Sequence, residues 1–359
     1  MSRRVLLTGA TGFLGMEVLV RLLEQDDVDI VALVRAADRE QATERMHGVL
    51  GRLYEEPPEG LGQRLVAMPG DVAADDLGLT GAHRREITST ATAIVHCAAS
   101  IAFDLPLDEA VAINTTGTER VLDLAADVRH LTRAVHVSTA YVAGRTQGTF
   151  GENELERGQI FRNTYEESKY EGERRVSERA DSLPLVIARP SIVVGDRHSG
   201  WTPAFNVIYW PLRAFARGLL GDLPVDPRGV LDVVPVDYVA DALVHLLDRP
   251  EIGGRLHLVA GEQALTNADL VTLACEWLGR PPPRLHAAAE LPNVDEAQTY
   301  MPYFDVATRF EDRRAREVLG AAGIETASFA DFFSTIVAYA ERAKWGKRTP
   351  TREAAMVGA

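Results

Sequence analysis

The sequence predicts a doubly wound α/β fold: a parallel sheet covered by helices on both faces, followed by a smaller, discontinuous and mostly helical C-terminal part. Three observations predict it. Short, nearly continuous apolar runs recur up to Pro190, as strands buried on both faces require. Stretches of helical period separate them. A glycine-rich turn, TGATGFLG, links the first apolar run to the first helical one.

Taken in order, RVLLT (4–8) is the first strand and 13–25 the first helix. DIVALV (29–34) is a second strand, 38–54 a helix, and RLVAMPGDV (64–72) contains a third strand. TAIVHCAAS (92–100) is a fourth strand and LDEAVAINTTGTERVLDLAAD (107–127) a long helix. RAVHVST (133–139) is a fifth strand, 164–179 a helix, and LPLVIARP (183–190) a sixth strand. Right-handed crossovers between parallel strands then give the doubly wound arrangement. Beyond Pro190 the rhythm breaks into a segment rich in Gly, Pro and aromatics, including Trp201, Phe205, Tyr209, Trp210 and Phe215. A strand-turn-helix pattern resumes at 230–249, and RLHLVAG (255–261) reads as a further strand. Helices follow at 266–278, 311–321 and 327–343, with a Pro-rich joint at 281–283. The expected organisation is a Rossmann domain of 1–190 plus about 230–261. A second, substrate-binding unit takes about 191–229 plus 262–345, and 346–359, poor in apolar residues, forms a flexible tail.

Composition narrows the function. The 359 residues are 46% apolar and 25% charged, enough for a sizeable core. No apolar run is long enough to cross a bilayer, and the N-terminus lacks the length of a secretory signal. Cys97 and Cys275 make no disulfide framework, so a reduced, cytoplasmic setting is expected. A net charge of −14 argues against nonspecific nucleic-acid binding. The basic clusters Arg309, Arg313, Arg314, Arg316 and Arg342, Lys344, Lys347, Arg348 read first as solvated helix faces. No metal site is read.

Gly9, Gly12 and Gly15 sit between strand and helix, where a dinucleotide needs a tight turn, close backbone approach and a free helix N-terminus. The spacing is G-x-x-G-x-x-G, and a simple turn does not account for three glycines so placed. After the second strand stands Arg35, where a carboxylate would hold the ribose 2′-hydroxyl of NAD. A guanidinium suits a 2′-phosphate instead, which favours NADPH. Asp71, in GDV with Val72, can accept from an adenine amino group, although Asp in turns often serves local bonding. The small residues of HCAAS, Ala98 among them, allow a cofactor to lie against the backbone. Cys97 there reads as a small hydrophobe rather than a nucleophile.

Tyr165 and Lys169 lie one helical turn apart in TYEESKYEGE. A nearby ammonium favours the phenolate, and the lysine can reach nicotinamide ribose hydroxyls. Carbonyl reduction needs hydride at carbon and a proton at oxygen. HVSTAYVAG supplies Ser138 and Thr139 at the end of the fifth strand, where a hydroxyl can polarise that oxygen. The pair alone could be an exposed helix pair; its place after the glycine turn and the hydroxyl-bearing strand end argues otherwise.

Together, Gly9-x-x-Gly12-x-x-Gly15, Asp71, Thr139, Tyr165 and Lys169 resemble the extended short-chain dehydrogenase/reductases. TGATGFLG, LVRAADREQATERM, HCAASIAFDLPLDEAVAINTTGTERVLDLA, HVSTAYVAG, NTYEESKYEGE and LDVVPVDYVADAL look closest to the fatty acyl reductase and thioester reductase branch, the male-sterility-like NAD(P)-binding proteins. The resemblance implies NADPH as cofactor. It implies an acyl thioester substrate on coenzyme A or on a carrier protein supplied in trans. It implies that Arg35 and Arg45 hold the 2′-phosphate, and that Thr11, Phe13 and Leu14 line the pyrophosphate turn. Thr139 is then the triad hydroxyl, Tyr165 the proton donor, Lys169 its partner and Asn114 an organiser of the site. The backbone from Pro190 to Ile192 passes near the carboxamide. The last hundred residues carry no family match. The alternatives are a sugar epimerase or dehydratase, a hydroxysteroid-type dehydrogenase, and a cofactor-binding protein without catalysis.

Overall fold

The structure, a computed structural model, describes residues 3–219, 222–286 and 299–358. Seven parallel strands form the main sheet: β1 (Arg3–Thr8), β2 (Val28–Val34), β3 (Leu65–Pro69), β4 (Ala93–His96), β5 (Arg133–Val137), β6 (Leu185–Pro190) and β7 (Gly254–Leu258). Their order is β7-β6-β5-β4-β1-β2-β3. β1 pairs with β2 on one side and β4 on the other, with Leu6 opposite both Val31 and Ile94. The chain winds outward from β1 to β3, then crosses back to β4 and winds the other way. The switch point therefore lies between β1 and β4, where doubly wound sheets bind ligands at their carboxyl edge.

Helices cover both faces. α1 (Phe13–Leu23), α2 (Arg39–Leu53) and α8 (Val236–Leu247) pack on one face, where Val5, Leu7, Leu19, Ile30 and Leu243 are buried. α3 (Gly81–Thr90), α5 (Gly117–Asp127) and α6 (Thr164–Glu178) cover the other, over Leu6, Val31, Ile94 and Ile187. β-strand alternation sends Leu6 and Leu7 to opposite cores, so both faces of β1 must be apolar. A third cluster joins Tyr141, Phe150, Ile192, Tyr209 and Leu231 to residues of the C-terminal part such as Phe304, Phe329 and Ile336. Its helices are α7 (Tyr209–Ala216), α9 (Asn267–Leu278) and α11 (Phe329–Arg342), whereas α10 (Arg313–Gly320) joins the first cluster through Ala315 and Leu319.

Three features differ from the sequence expectation. The long helix expected over 107–127 is interrupted. α4 (Leu107–Val111) opens into a π-helical turn at Ala112–Thr116 before α5 continues. Helix α3 is additional; Thr80 caps it by accepting from the His83 N–H. The expected flexible tail is instead packed. α12 (Arg352–Val357) is capped by Thr351, the Trp201 indole donates to the Pro350 carbonyl at 3.2 Å, and Ala355 is buried. Arg352 reaches Glu17 of α1 at 2.8 Å, and the Glu55 N–H donates to Glu353. Low apolar content misled here because these few residues dock through polar contacts to buried partners.

Candidate active site

The glycine turn forms a cradle at the switch point. Gly9 has φ of +78°, the left-handed region open to glycine, and a Cβ there would meet the Ala98 nitrogen at 2.7 Å. A Cβ on Gly15 would sit 2.0 Å from the Gly9 carbonyl oxygen, so this glycine lets α1 close on the turn. Gly12 differs: a Cβ there meets nothing nearer than 3.4 Å. It caps α1 with no side-chain hydrogen bond, leaving the N–H groups around Phe13 and Leu14 to an anion. A cradle bare of side chains at an uncapped helix of this length fits a pyrophosphate. Gly12 is the exposed member of the turn, and Thr11 beside it is half-buried.

Arg35 follows β2 and is exposed. The Arg45 guanidinium donates to the Arg35 carbonyl oxygen, which brings two cations to one edge of the cradle. Among the described residues neither pairs with a carboxylate. Asp71 accepts from the Ala73 N–H at 2.9 Å, a local turn bond, and Val72 packs under Gly117.

A directional hydrogen-bond chain ties the cradle to the π turn. The Ala98 N–H donates to Thr8 Oγ1 at 3.2 Å, and Thr8 bonds His96 Nδ1 at 2.7 Å. His96 Nε2 meets Thr118 Oγ1 at 3.1 Å, and Thr118 donates to the Asn114 carbonyl at 2.7 Å. This sequence requires the proton on Nε2. Burial pushes the His96 pKa down to about 3, so the ring stays neutral.

Asn114 uses its whole amide. Its Oδ1 accepts from the Ser100 N–H at 2.8 Å, and its Nδ2 donates to the Ser100 carbonyl at 3.0 Å and to Ser168 Oγ at 2.9 Å. It therefore fastens the loop after β4 to α6, the helix of Tyr165 and Lys169. Gly172 permits this approach, since a Cβ there would lie 2.5 Å from the Asn114 carbonyl. Asn114 acts as a positioning residue.

The structure brings Thr139, Tyr165 and Lys169 together beyond the ends of β5 and β6. The Thr139 side chain caps the following turn by accepting from the Tyr141 N–H, and it also donates to the Pro190 carbonyl at 3.3 Å. Thr139 lies beside Tyr165 and favours its phenolate, but burial dominates and pushes the phenol up to about 12. Lys169 donates to the Val137 carbonyl at 2.8 Å rather than to the phenol. Burial lowers the Lys169 pKa to about 8, against the pull of Glu173. The expected depression of Tyr165 by Lys169 is thus absent from this geometry; burial dominates both groups. Tyr170 packs on Phe161 with ring centroids 5.0 Å apart. Burial also pushes Cys97 up to about 12, a thiol rather than a thiolate. Ile192 is buried beside Pro190 on the strand end that Thr139 holds.

Several site residues were not singled out from sequence. Glu173, four residues after Lys169, is fully buried; burial opposes its ionisation, yet Arg189 beside it holds its pKa below the usual value. It accepts from Ser138 at 2.6 Å, Arg189 at 2.6 Å and Arg255 at 2.8 Å, so it clamps the ends of β5 and β6 and the edge strand β7 to α6. The i, i+4 spacing from Lys169 was its available signal. Phe103 packs on the Tyr165 ring at 5.4 Å and stacks on Tyr303 at 4.8 Å. Tyr303 belongs to the turn Met301–Phe304 and accepts from Asn163 at 3.0 Å. No local pattern links residue 303 to residue 165. The basic cluster at 309–316 is largely neutralised: Arg313 pairs with Glu311, Arg316 with Asp312, and Arg314 donates to backbone carbonyls of β7 and its approach. No helix among the described residues is long and apolar enough to cross a membrane.

Comparison with known proteins bears on the family and the fold. The chain is 28% identical over 325 residues to a probable fatty acyl-CoA reductase 5 of Arabidopsis thaliana, covering 72% of this chain and 66% of that protein. It is 34% identical over 247 residues to an isonitrile lipopeptide synthase of Streptomyces coeruleorubidus, covering 68% of this chain and 16% of that protein. The chain thus spans only part of the length of these relatives. The crystal structure of the terminal R domain from the myxalamid PKS-NRPS biosynthetic pathway superposes with a TM-score of 0.82 at 28% identity, covering 96% of this chain and 91% of that one. Residues 7–243 match the family model of the male sterility proteins, an NAD-binding family. The chain belongs to that family, within the thioester reductase branch of the extended short-chain dehydrogenase/reductases.

Proposed function

We propose that this protein reduces an acyl thioester at the expense of NADPH. The observation that carries the reading is the convergence of Thr139 and Tyr165 at the carboxyl edge of the sheet, beside the glycine cradle. Arg35 and Arg45, close together and unpaired with carboxylates among the described residues, support a 2′-phosphate at the cradle's edge. The aromatic side chains of Phe103 and Tyr303 around Tyr165 suit an apolar acyl group.

When bound, the reduced nicotinamide supplies the hydride that adds to the thioester carbonyl carbon. Thr139 and Tyr165 turn their hydroxyls to the carbonyl oxygen and stabilise the charge that develops there. Tyr165 holds its proton through the physiological range because burial keeps the phenol neutral. Lys169, anchored on Val137, presents positive charge beneath the site. Collapse of the tetrahedral adduct breaks the carbon–sulfur bond, expels the thiolate, which takes up a proton, and leaves an aldehyde. Asn114 and Glu173 hold the three catalytic segments in register.

The test follows NADPH and NADH oxidation against acyl-coenzyme A thioesters, acyl-carrier thioesters, aldehydes and ketones. The expected result is thioester-dependent oxidation of NADPH in preference to NADH. Activity confined to aldehydes or ketones overturns the thioester assignment, and an Arg35→Glu variant that keeps its NADPH preference overturns the 2′-phosphate assignment.

A further inference from the structure

A hollow of about 520 Å³ opens between α11 and α12, beyond the residues that match the family model. Tyr339, Arg342, Arg348, Pro350, Ala354 and Ala355 line it. Arg342 stands in the last turn of α11. The chain then reverses through three successive left-handed residues, Lys344, Trp345 and Gly346, with φ of +50°, +55° and +93°. The Arg348 N–H donates to the Ala343 carbonyl at 2.9 Å, so the reversal returns Arg348 to the end of α11. Trp201 touches both this segment and the dinucleotide turn. Its indole donates to the Pro350 carbonyl at 3.2 Å, and its ring lies 6.0 Å from that of Phe13, the first residue of α1.

Arg342 and Arg348 are exposed, and among the described residues neither pairs with a carboxylate. Arg352 nearby is committed to Glu17. Lys344 and Lys347, exposed in the same reversal, add two further cations. Against them stand Glu341, exposed in α11, and Glu353, which accepts from the Glu55 N–H. The segment therefore keeps positive charge in a chain whose net charge is −14. An exposed guanidinium is hydrated at little cost, so one arginine alone implies no ligand. Two that converge on one hollow, over the apolar surface of Pro350, Ala354 and Ala355, offer both charge and a face to pack on.

We propose that this hollow binds the 3′-phosphoadenosine diphosphate end of a coenzyme A thioester. The two arginines take phosphoryl oxygens by bidentate, charge-assisted hydrogen bonds, and the apolar surface takes the adenine face. The inference rests on the thioester reading and sharpens it: coenzyme A, not a carrier protein, delivers the acyl group. A carrier's arm bears a single phosphodiester tied to a folded protein and has no planar base to fill a hollow. On the same reading NADPH uses Arg35 and Arg45, which leaves the second arginine pair to a second nucleotide.

The test has a binding arm and a rate arm, both on the full chain. Adenosine 3′,5′-bisphosphate is titrated calorimetrically with NADP⁺ saturating, so that the dinucleotide turn is already occupied. Binding is expected, and Arg342→Gln and Arg348→Gln are each expected to weaken it at least about tenfold, the loss of one charge-assisted hydrogen bond. No binding overturns the proposal, and so does an affinity unchanged in both variants. In the rate arm, NADPH oxidation is followed with one acyl group carried on coenzyme A, on pantetheine and on a carrier protein. The coenzyme A thioester is expected to show a KM at least about tenfold below that of the pantetheine thioester, a gap that Arg348→Gln narrows. Equal KM values for those two, or a carrier thioester preferred to the coenzyme A thioester, overturn the proposal. A chain that binds the bisphosphate but reduces no thioester overturns the proposed function and leaves the nucleotide site standing. Thioester reduction without bisphosphate binding does the reverse.

Discussion

At the scale of single residues, burial sets the chemistry. Tyr165→Phe removes the hydroxyl proposed as proton donor and keeps the ring that packs on Phe103. Its turnover is expected to fall by about a hundredfold to ten-thousandfold, with NADPH affinity retained; fluorescence titration beside steady-state rates separates the two. Unchanged turnover would remove Tyr165 from the mechanism. Lys169 gives a pH dependence. Its pKa is lowered to about 8, so kcat/KM for NADPH is expected to decline as pH rises through about 8. A profile flat to about pH 10 would show that the charge is not needed. The stability term has the opposite sense. Between about 8 and the ordinary lysine value the unfolded chain holds a proton that the folded chain has released. Folding stability therefore rises with pH across that window, and the cost of burying the cation applies below it.

At the scale of elements, the glycine turn separates folding from binding. Gly12→Ala places its Cβ no nearer than 3.4 Å to the Gly9 carbonyl oxygen, an ordinary contact, and is expected to fold with a melting temperature near that of the natural chain, while dinucleotide affinity drops at least about tenfold. Gly15→Ala drives its Cβ into the Gly9 carbonyl and is expected to lower the melting temperature itself. Equal thermal loss in both variants would refute this division. The π turn at Ala112–Thr116 belongs to the same scale: such turns recur at functional sites, and this one presents Asn114 to both Ser100 and Ser168. The sequence made the regular elements legible because their signals are local. Apolar runs named β1 to β6, and helical period named α1, α2 and α6. The π turn left no such trace, since INTTGT reads as continuous helix and the extra residue per turn answers to tertiary bonds.

At the scale of the whole molecule, what stayed hidden was long-range. Thr139, Tyr165 and Lys169 could be read because strand end and helix alternate predictably in a doubly wound sheet. Phe103, Tyr303 and the clamp of Glu173 on Arg189 and Arg255 could not, because they depend on how distant segments converge. The packed segment after Arg348 belongs here too. Glu17 lies at 0% side-chain exposure between Arg21 at 2.6 Å and Arg352 at 2.8 Å. Ending the chain after Arg348 removes one of the two cations and uncovers Trp201. It is expected to destabilise the fold by about 2 kcal/mol, measured by chemical denaturation. No change in the denaturation midpoint would restore the reading of a loose tail.

That contact also carries a consequence for biogenesis. Glu17 and Arg352 stand 335 positions apart in the chain. During synthesis the first helix emerges early, and at about 5–20 residues per second its partner follows many seconds later. The nascent α1 thus waits with a carboxylate half-neutralised while the whole of the sheet is being made. The opening helix is sealed only after every strand it packs on has left the ribosome.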